Sequence, residues 1–190
     1  LLVWTTTPWT LSSNVAAAVK PDMTYVKVRL GSHEGTLPGQ APPRRHEGDS
    51  YYYVGKANFE GSRTQPVQAP DKSNTQSLMS IQAMFKNRGP FEVVEELRGE
   101  ALVDLRYSGP FDALPGAAEA APVHRVIAWD AVTESEGTGI VHIAPGCGAE
   151  DYRLGKELGL PRIAPLLEDG RFRPEFGYLS GKRFDDVADD

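Results

Sequence analysis

The residues able to do chemistry cluster in two separated stretches, TTTPWT at residues 5–10 and GTGIVHIAPGCGAEDY at residues 137–152. The first sets three consecutive hydroxyls, Thr5, Thr6 and Thr7, beside the indole of Trp9. The second carries an imidazole (His142), a thiol (Cys147) and two carboxylates, Glu150 and Asp151. Hydroxyls can orient a water, a carboxylate can hold a cationic group, and histidine changes charge near neutral pH. Cys147 as a nucleophile needs a positioned base and a depressed pKa, and nothing in the sequence ties it to His142. Each group also has an ordinary structural explanation. Threonines satisfy turns, a histidine beside glycines is commonly structural, and a carboxylate in a first helical turn is stabilised by about 0.3–1 kcal/mol.

The elements that must position these groups can be read from pattern. Gly139–His142 reads as a buried strand, Ala144–Gly148 as a Pro/Gly turn, and the following residues as a helix that Glu150 and Asp151 open and Gly159 terminates. His142 and Asp151 therefore lie at the two ends of one strand-to-helix reversal, which can aim both side chains at one cavity. Gly137, Gly139, Gly146 and Gly148 leave backbone accessible to a ligand, and Pro145 fixes the exit from the strand. Leu1–Thr7 is apolar and β-branched, so a strand is expected there, ending at Pro8.

The rest of the chain reads as many short strands with few helices. Val15–Val19 fits either a helix capped by Ser12, Ser13 or Asn14, or a strand closed by Pro21. Strands are expected at Tyr25–Leu30, Tyr51–Val54, Phe91–Leu97, Leu102–Tyr107 and Val123–Val132. A helix is expected over Ser77–Arg88, stopped by Gly89-Pro90, and a hairpin over Arg162–Leu167 and Arg171–Phe176. Residues 108–122 read as a loop, and 31–76 as a polar loop or hairpin insertion. The resulting expectation is one α+β domain over residues 1–190, mainly β with flanking helices and barrel-like.

Composition narrows the partners. With 190 residues and a net charge of −6, the chain can bury one core, and it lacks the basic balance of a general nucleic-acid binder. That balance does not exclude contact with a nucleic-acid end. A single cysteine forbids an intrachain disulfide and any multi-cysteine zinc site. His33, His46 and His124 are not at metal-ligand spacing, so no metal and no cofactor are expected. No apolar run is long enough to span a bilayer, and no leader is visible, which together predict a cytoplasmic protein. The chain opens on apolar residues without Met and closes on DDVADD, as expected of a domain cut from a longer protein.

Taken together, TTTPWTL and GTGIVH-APG-GAEDY resemble the editing domain of isoleucyl-tRNA synthetase, the insertion called connective polypeptide one. Gly99, Leu102, Leu105, Tyr107, Pro110 and Phe111 look like the family's intermediate segment, and Val132 leads into GTGIVH as it does there. The related valyl and leucyl enzymes carry an Arg after the first two threonines and lack the His after GTGIV; Thr7 and His142 favour the isoleucyl type. The family often has an aromatic residue where Cys147 stands, and residues 31–76 exceed its compact bacterial form.

The resemblance implies a barrel-like fold and a hydrolase that deacylates valyl-tRNA(Ile), and in some readings valyl-adenylate. Asp151 would anchor the substrate's ammonium, while His142 and Trp9 would line the wall that excludes isoleucine. Gly139 would contribute open backbone, and Thr5, Thr6 and Thr7 would border the pocket and orient a water or ribose hydroxyl. The implied partners are the 3′ end of isoleucine tRNA, the mischarged valine and the rest of the synthetase in cis, with no membrane and a monomeric fragment. Arg153, Lys156, Arg171, Lys182 and Arg183 are candidate contacts for the tRNA end. The competing readings are a non-catalytic module that binds a tRNA end or nucleotide, and a valyl- or leucyl-type editing domain.

Overall fold

A computed structural model describes residues 1–5, 7–31, 50–61, 63–66, 75–135 and 137–187. In chain order the elements are β1 (Ala16–Val19), β2 (Thr24–Leu30), β3 (Ser50–Gly55), α1 (Lys56–Glu60), β4 (Arg63–Pro66), β5 (Thr75–Leu78), α2 (Ile81–Arg88), β6 (Phe91–Arg98), β7 (Val126–Ala128), β8 (Val141–Ile143) and α3 (Ala149–Leu158). Short 3-10 segments at Pro8–Ser13, Gly99–Leu102, Pro115–Ala117 and Pro174–Leu179 complete the list. The mainly β character with few helices agrees with the sequence pattern. Among the described residues, the strands form two three-stranded sheets and one two-stranded ribbon, and no closed barrel.

Two compact units divide the chain: Leu1–Val3, Lys20–Ala101 and Asp130–Ile140 form the first, and Trp4–Val19, Leu102–Trp129 and Val141–Asp190 the second. The first unit is built on β2, which pairs antiparallel with both β3 and β6. Alternation along β2 buries Val26 and Val28 against Val54, Phe59, Ile81 and Phe85. Phe59, Phe85 and Phe91 meet edge to face at 5.6–5.9 Å between ring centres, the arrangement that aromatic quadrupoles favour. Tyr25 holds Gly139 within this unit: its hydroxyl donates to the Gly139 carbonyl at 2.8 Å and accepts from the Lys20 N–H at 3.0 Å. Burial pushes that phenol up to about 12.

The second unit holds most of the candidate site residues. Its sheet has the order β7-β1-β8, with β1 parallel to β7 and antiparallel to β8. All four residues of β1 are buried, and Ala17 sits opposite His142. A hydrophobic cluster of Val15, Leu114, Ile163, Phe172, Phe176 and Leu179 lies in the same unit, with Trp9 packed against it.

Several elements differ from their sequence pattern for identifiable reasons. No strand forms among the described residues of the 1–7 segment; Leu2 bonds across to the Tyr53 carbonyl, and the Thr5 and Thr10 hydroxyls bond locally to backbone. The ambiguous run after Asn14 is strand, because partners on both sides override the helical preference of alanine. Ser77 and Leu78 belong to β5, and α2 starts later, where the Ser80 side chain accepts from the Ala83 N–H. Leu102–Tyr107 is a turn with Asp104 at φ 66°, leaving one isolated bridge at Arg106. The expected strand over Val123–Val132 contracts to Val126–Ala128, and the expected hairpin near Glu168 to a single bridge, Leu166 to Phe172. Gly139 sits at φ 70°, outside the β region, so β8 begins at Val141. Of the segment 31–76, residues 32–49, 62 and 67–74 lie outside the described residues; the rest includes β3, α1 and the β4–β5 ribbon.

The aromatic cluster of the first unit predicts a large cavity cost. Phe59→Ala should lower the unfolding free energy by about 3–5 kcal/mol, read from the urea midpoint at unchanged slope.

Candidate active site

The second unit brings the two chemical stretches together. Pro8 opens the 3-10 segment that carries Trp9 and Thr10, which suits a ring that fixes φ and has no N–H to satisfy. The chain then runs through Asn14 into β1, and the Val15 N–H donates to the Ile143 carbonyl at 2.9 Å. That bond sets the threonine turn beside β8 and hence beside His142.

A row of hydroxyls leads to the imidazole. The Thr7 N–H donates to Thr5 Oγ1 at 3.1 Å, and the Thr5 and Thr7 hydroxyls stand 3.5 Å apart. Thr7 Oγ1 is 3.4 Å from Thr10 Oγ1. The Thr10 hydroxyl donates to the Thr7 carbonyl at 2.7 Å and lies 3.0 Å from His142 Nε2. Because the Thr10 proton is committed to Thr7, its oxygen must accept from His142, which assigns the proton of the neutral ring to Nε2. Nδ1 is then a lone-pair acceptor. It is shielded from solvent and meets no hydrogen-bond partner among the described residues.

Burial pushes the His142 pKa below its ordinary value, and the nearby Asp151 carboxylate opposes that shift. Asp151 lies in the first turn of α3, where the helix dipole favours an anion. Its Oδ2 accepts from the Ala144 N–H at 2.9 Å, across the turn. The turn is closed by the Cys147 N–H donating to the Ala144 carbonyl. Gly146 permits its close backbone approach, since a Cβ there would strike the Ile163 carbonyl. At the far end of α3, Gly159 takes the left-handed conformation at φ 65° and its N–H bonds the Gly155 carbonyl.

Thr5, Thr7, Trp9, His142 and Asp151 belong to the second unit, whereas Gly139 belongs to the first; Thr6 lies outside the described residues. Thr5, Thr7 and His142 are joined through Thr10, and Asp151 is close enough for its charge to act on His142. The Trp9 ring is half-buried and packs on Phe184, with ring centres 5.7 Å apart. Burial raises the Cys147 thiol, opposed by a Ser13 contact, so the thiolate that nucleophilic attack needs is disfavoured.

Thr10 is the participant that sequence reasoning left out of the site. It is only 6% exposed, and its place in the hydroxyl-rich TTTPWT run was the available signal. Among the candidate cations, Arg153 and Lys156 project from α3 as exposed residues. The Arg171 guanidinium donates to the Gly181 carbonyl at 2.8 Å, and that of Arg183 donates to both Asp185 carboxylate oxygens.

The depressed His142 pKa has a definite consequence for stability. The folded state binds the proton less readily than the unfolded chain, so stability is fully present above the ordinary value of 6.5 and declines as the pH falls below it. His142→Gln should therefore flatten the pH dependence of Tm in the interval just below 6.5. An unchanged slope in a calorimetric pH series would show that His142 is not held neutral by folding.

No protein-family model matches the chain. Curated relatives do. It is 38% identical over 180 residues to the isoleucine–tRNA ligase of Methanothrix thermoacetophila, covering 93% of this chain and 14% of the relative. The isoleucine–tRNA ligase of Pyrococcus furiosus is 37% identical over 187 residues, covering 96% of this chain and 14% of that protein. That of Gloeothece citriformis is 34% identical over 180 residues, with 94% and 14% covered. Among solved structures, the crystal structure of GlLeuRS-CP1 aligns with a TM-score of 0.49 at 14% identity, covering 82% of this chain and 43% of that one. The editing domain of the P. knowlesi cytosolic leucyl-tRNA synthetase gives 0.49 at 13% identity, covering 83% and 51%. The chain spans about 14% of the length of the curated relatives it matches. Aligned along nearly its whole length with one segment of these enzymes, the chain belongs to the isoleucine–tRNA ligase family.

Proposed function

We propose that this segment is the editing hydrolase of an isoleucyl-tRNA synthetase, releasing valine from mischarged valyl-tRNA(Ile). The observation that carries the reading is the convergence of the Thr5–Thr7–Thr10–His142 row with the Asp151 carboxylate in one unit. An aminoacyl ester presents a protonated amine, a small apolar side chain and a ribose hydroxyl beside an activated carbonyl. The site supplies an anion, a rigid neutral ring and several hydroxyls.

In this reading Asp151 holds the substrate's ammonium. The carboxylate keeps one oxygen on the Ala144 N–H, which fixes its direction, and retains lone pairs for the ligand. His142, held neutral, forms a wall of fixed orientation and adds no second positive charge near the ammonium. Thr5, Thr6 and Thr7 orient water against the ester carbonyl, with the ribose hydroxyl of the substrate assisting. The leaving group is an alcohol and the ester is already activated, so the reaction calls for no metal or cofactor.

Editing also answers a physical need. An extra methylene contributes only about 1–3 kcal/mol of discrimination, a limit established with the isoleucine–valine pair itself rather than with this chain. A second site that admits valine and refuses isoleucine supplies the remainder. Only the single-stranded tRNA end has to enter, with Arg153 and Lys156 as candidate phosphate contacts, which a net charge of −6 permits.

Deacylation of valyl- and isoleucyl-tRNA(Ile) by the full-length ligase tests the proposal. Valine should be released faster than isoleucine, and Asp151→Ala should slow that release by an amount on the order of 2–5 kcal/mol, as for removing one partner of a buried charge pair. Equal release of the two amino acids, or an unchanged rate in Asp151→Ala, overturns it. The chain alone should bind whole tRNA weakly, because most phosphate contacts would lie elsewhere in the ligase; submicromolar binding at physiological salt contradicts this.

A further inference from the structure

A second histidine–carboxylate pair in the same unit lies outside the hydroxyl row. His124 is 2% exposed. Its Nε2 lies 2.8 Å from Asp112 Oδ1, and its Nδ1 lies 2.9 Å from the Val15 carbonyl. Asp112 uses its other oxygen to accept from the Gly109 N–H at 2.8 Å. The arrangement has the outline of a catalytic dyad, but it is closed on itself. Both ring nitrogens are committed to protein acceptors, and the imidazole is sealed from solvent.

What the pair holds is the junction between the threonine turn and β1. Tyr107 stacks on the His124 ring, with centres 4.8 Å apart and planes 25° from parallel. Its hydroxyl donates to Asn14 Oδ1 at 2.6 Å, and Asn14 Nδ2 in turn donates to the Ala16 carbonyl at 2.9 Å. Consecutive residues are thus gripped from one side, Asn14 by the phenol and Val15 by the imidazole. From the other side the Val15 N–H is held by Ile143, the neighbour of His142. The same turn that Asn14 closes carries Thr10, whose oxygen fixes the His142 tautomer. A displacement at Asn14–Val15 therefore changes the 3.0 Å contact between Thr10 and His142.

We propose that Tyr107, Asp112 and His124 form a positioning bracket that sets the threonine turn against β8 and so holds His142 in its Nε2–H tautomer. They are positioning residues, acting through Asn14, Val15 and Thr10. The sequence offers little sign of this role, because the three are scattered through a turn-rich segment.

The bracket rests on the editing reading only for its consequence in catalysis, so the test has two arms. In the first, nitrogen NMR of the imidazoles in this chain reports the His142 tautomer in wild type, Tyr107→Phe and His124→Gln. Tyr107→Phe keeps the stack and removes only the bond to Asn14, so it serves as the folded variant should His124→Gln unfold. Wild type should show the Nε2–H form, and the variants a mixture of tautomers. In the second arm, valyl-tRNA(Ile) deacylation by the full-length ligase carrying Tyr107→Phe should lose roughly ten- to hundredfold in kcat, with KM nearly unchanged. A wild-type His142 in the other tautomer, or a folded Tyr107→Phe with wild-type imidazole signals, overturns the bracket. A wild-type ligase that releases no valine overturns the editing reading, while the first arm still decides the bracket.

Discussion

The arrangement of the second unit depends on the double pairing of β1. A strand with neighbours on both edges has no freedom to slide, since a one-residue slip would turn every side chain to the opposite face. β1 is short and rich in alanine, and it is buried along its whole length. Its two ladders therefore fix the approach of the threonine turn at one end and the position of His142 alongside. The cross-strand hydrogen bonds supply the register.

Against that frame, the Thr10 hydroxyl makes a choice that propagates. A hydroxyl has a single proton, and here it goes to the Thr7 carbonyl. For a neutral ring, the tautomer of the neighbouring imidazole follows from this. The ring must donate from Nε2, it must present a bare Nδ1, and its burial favours the neutral form. Asp151 acts in the opposite direction, since its charge would favour a protonated ring. Burial is the larger influence. The carboxylate remains compatible with its surroundings because the helix N-terminus and the Ala144 N–H both stabilise an anion.

The candidate site residues also have ordinary structural tasks. Trp9 packs on Phe184, Asp151 caps a turn, and the threonines satisfy local backbone. Rigid support of this kind is what the proposed recognition role would require, because a side chain that measures a ligand must not give way. Cys147, the most reactive-looking group in the sequence, has its thiol raised by burial. It serves the turn through its backbone N–H.

Local grammar was legible in the residues alone. They marked the strand–turn–helix order around residues 137–152, the Gly159 stop, the alternation in β2 and the two stretches where hydroxyls, imidazole and carboxylate gather. These are short-range consequences of glycine and proline dihedrals and of hydrophobic period, so they are legible without a partner. What depends on distant residues emerged only on folding. It made Ala16–Val19 a strand through β7 and β8, and denied strand pairing to the described residues at the start of the chain and to most of Leu102–Tyr107. It also joined Thr10 to His142 across the chain and closed Tyr107, Asp112 and His124 around Asn14 and Val15. Hydrogen bonds of that kind are set by which groups burial leaves without water, and the sequence order of the residues carries no record of that.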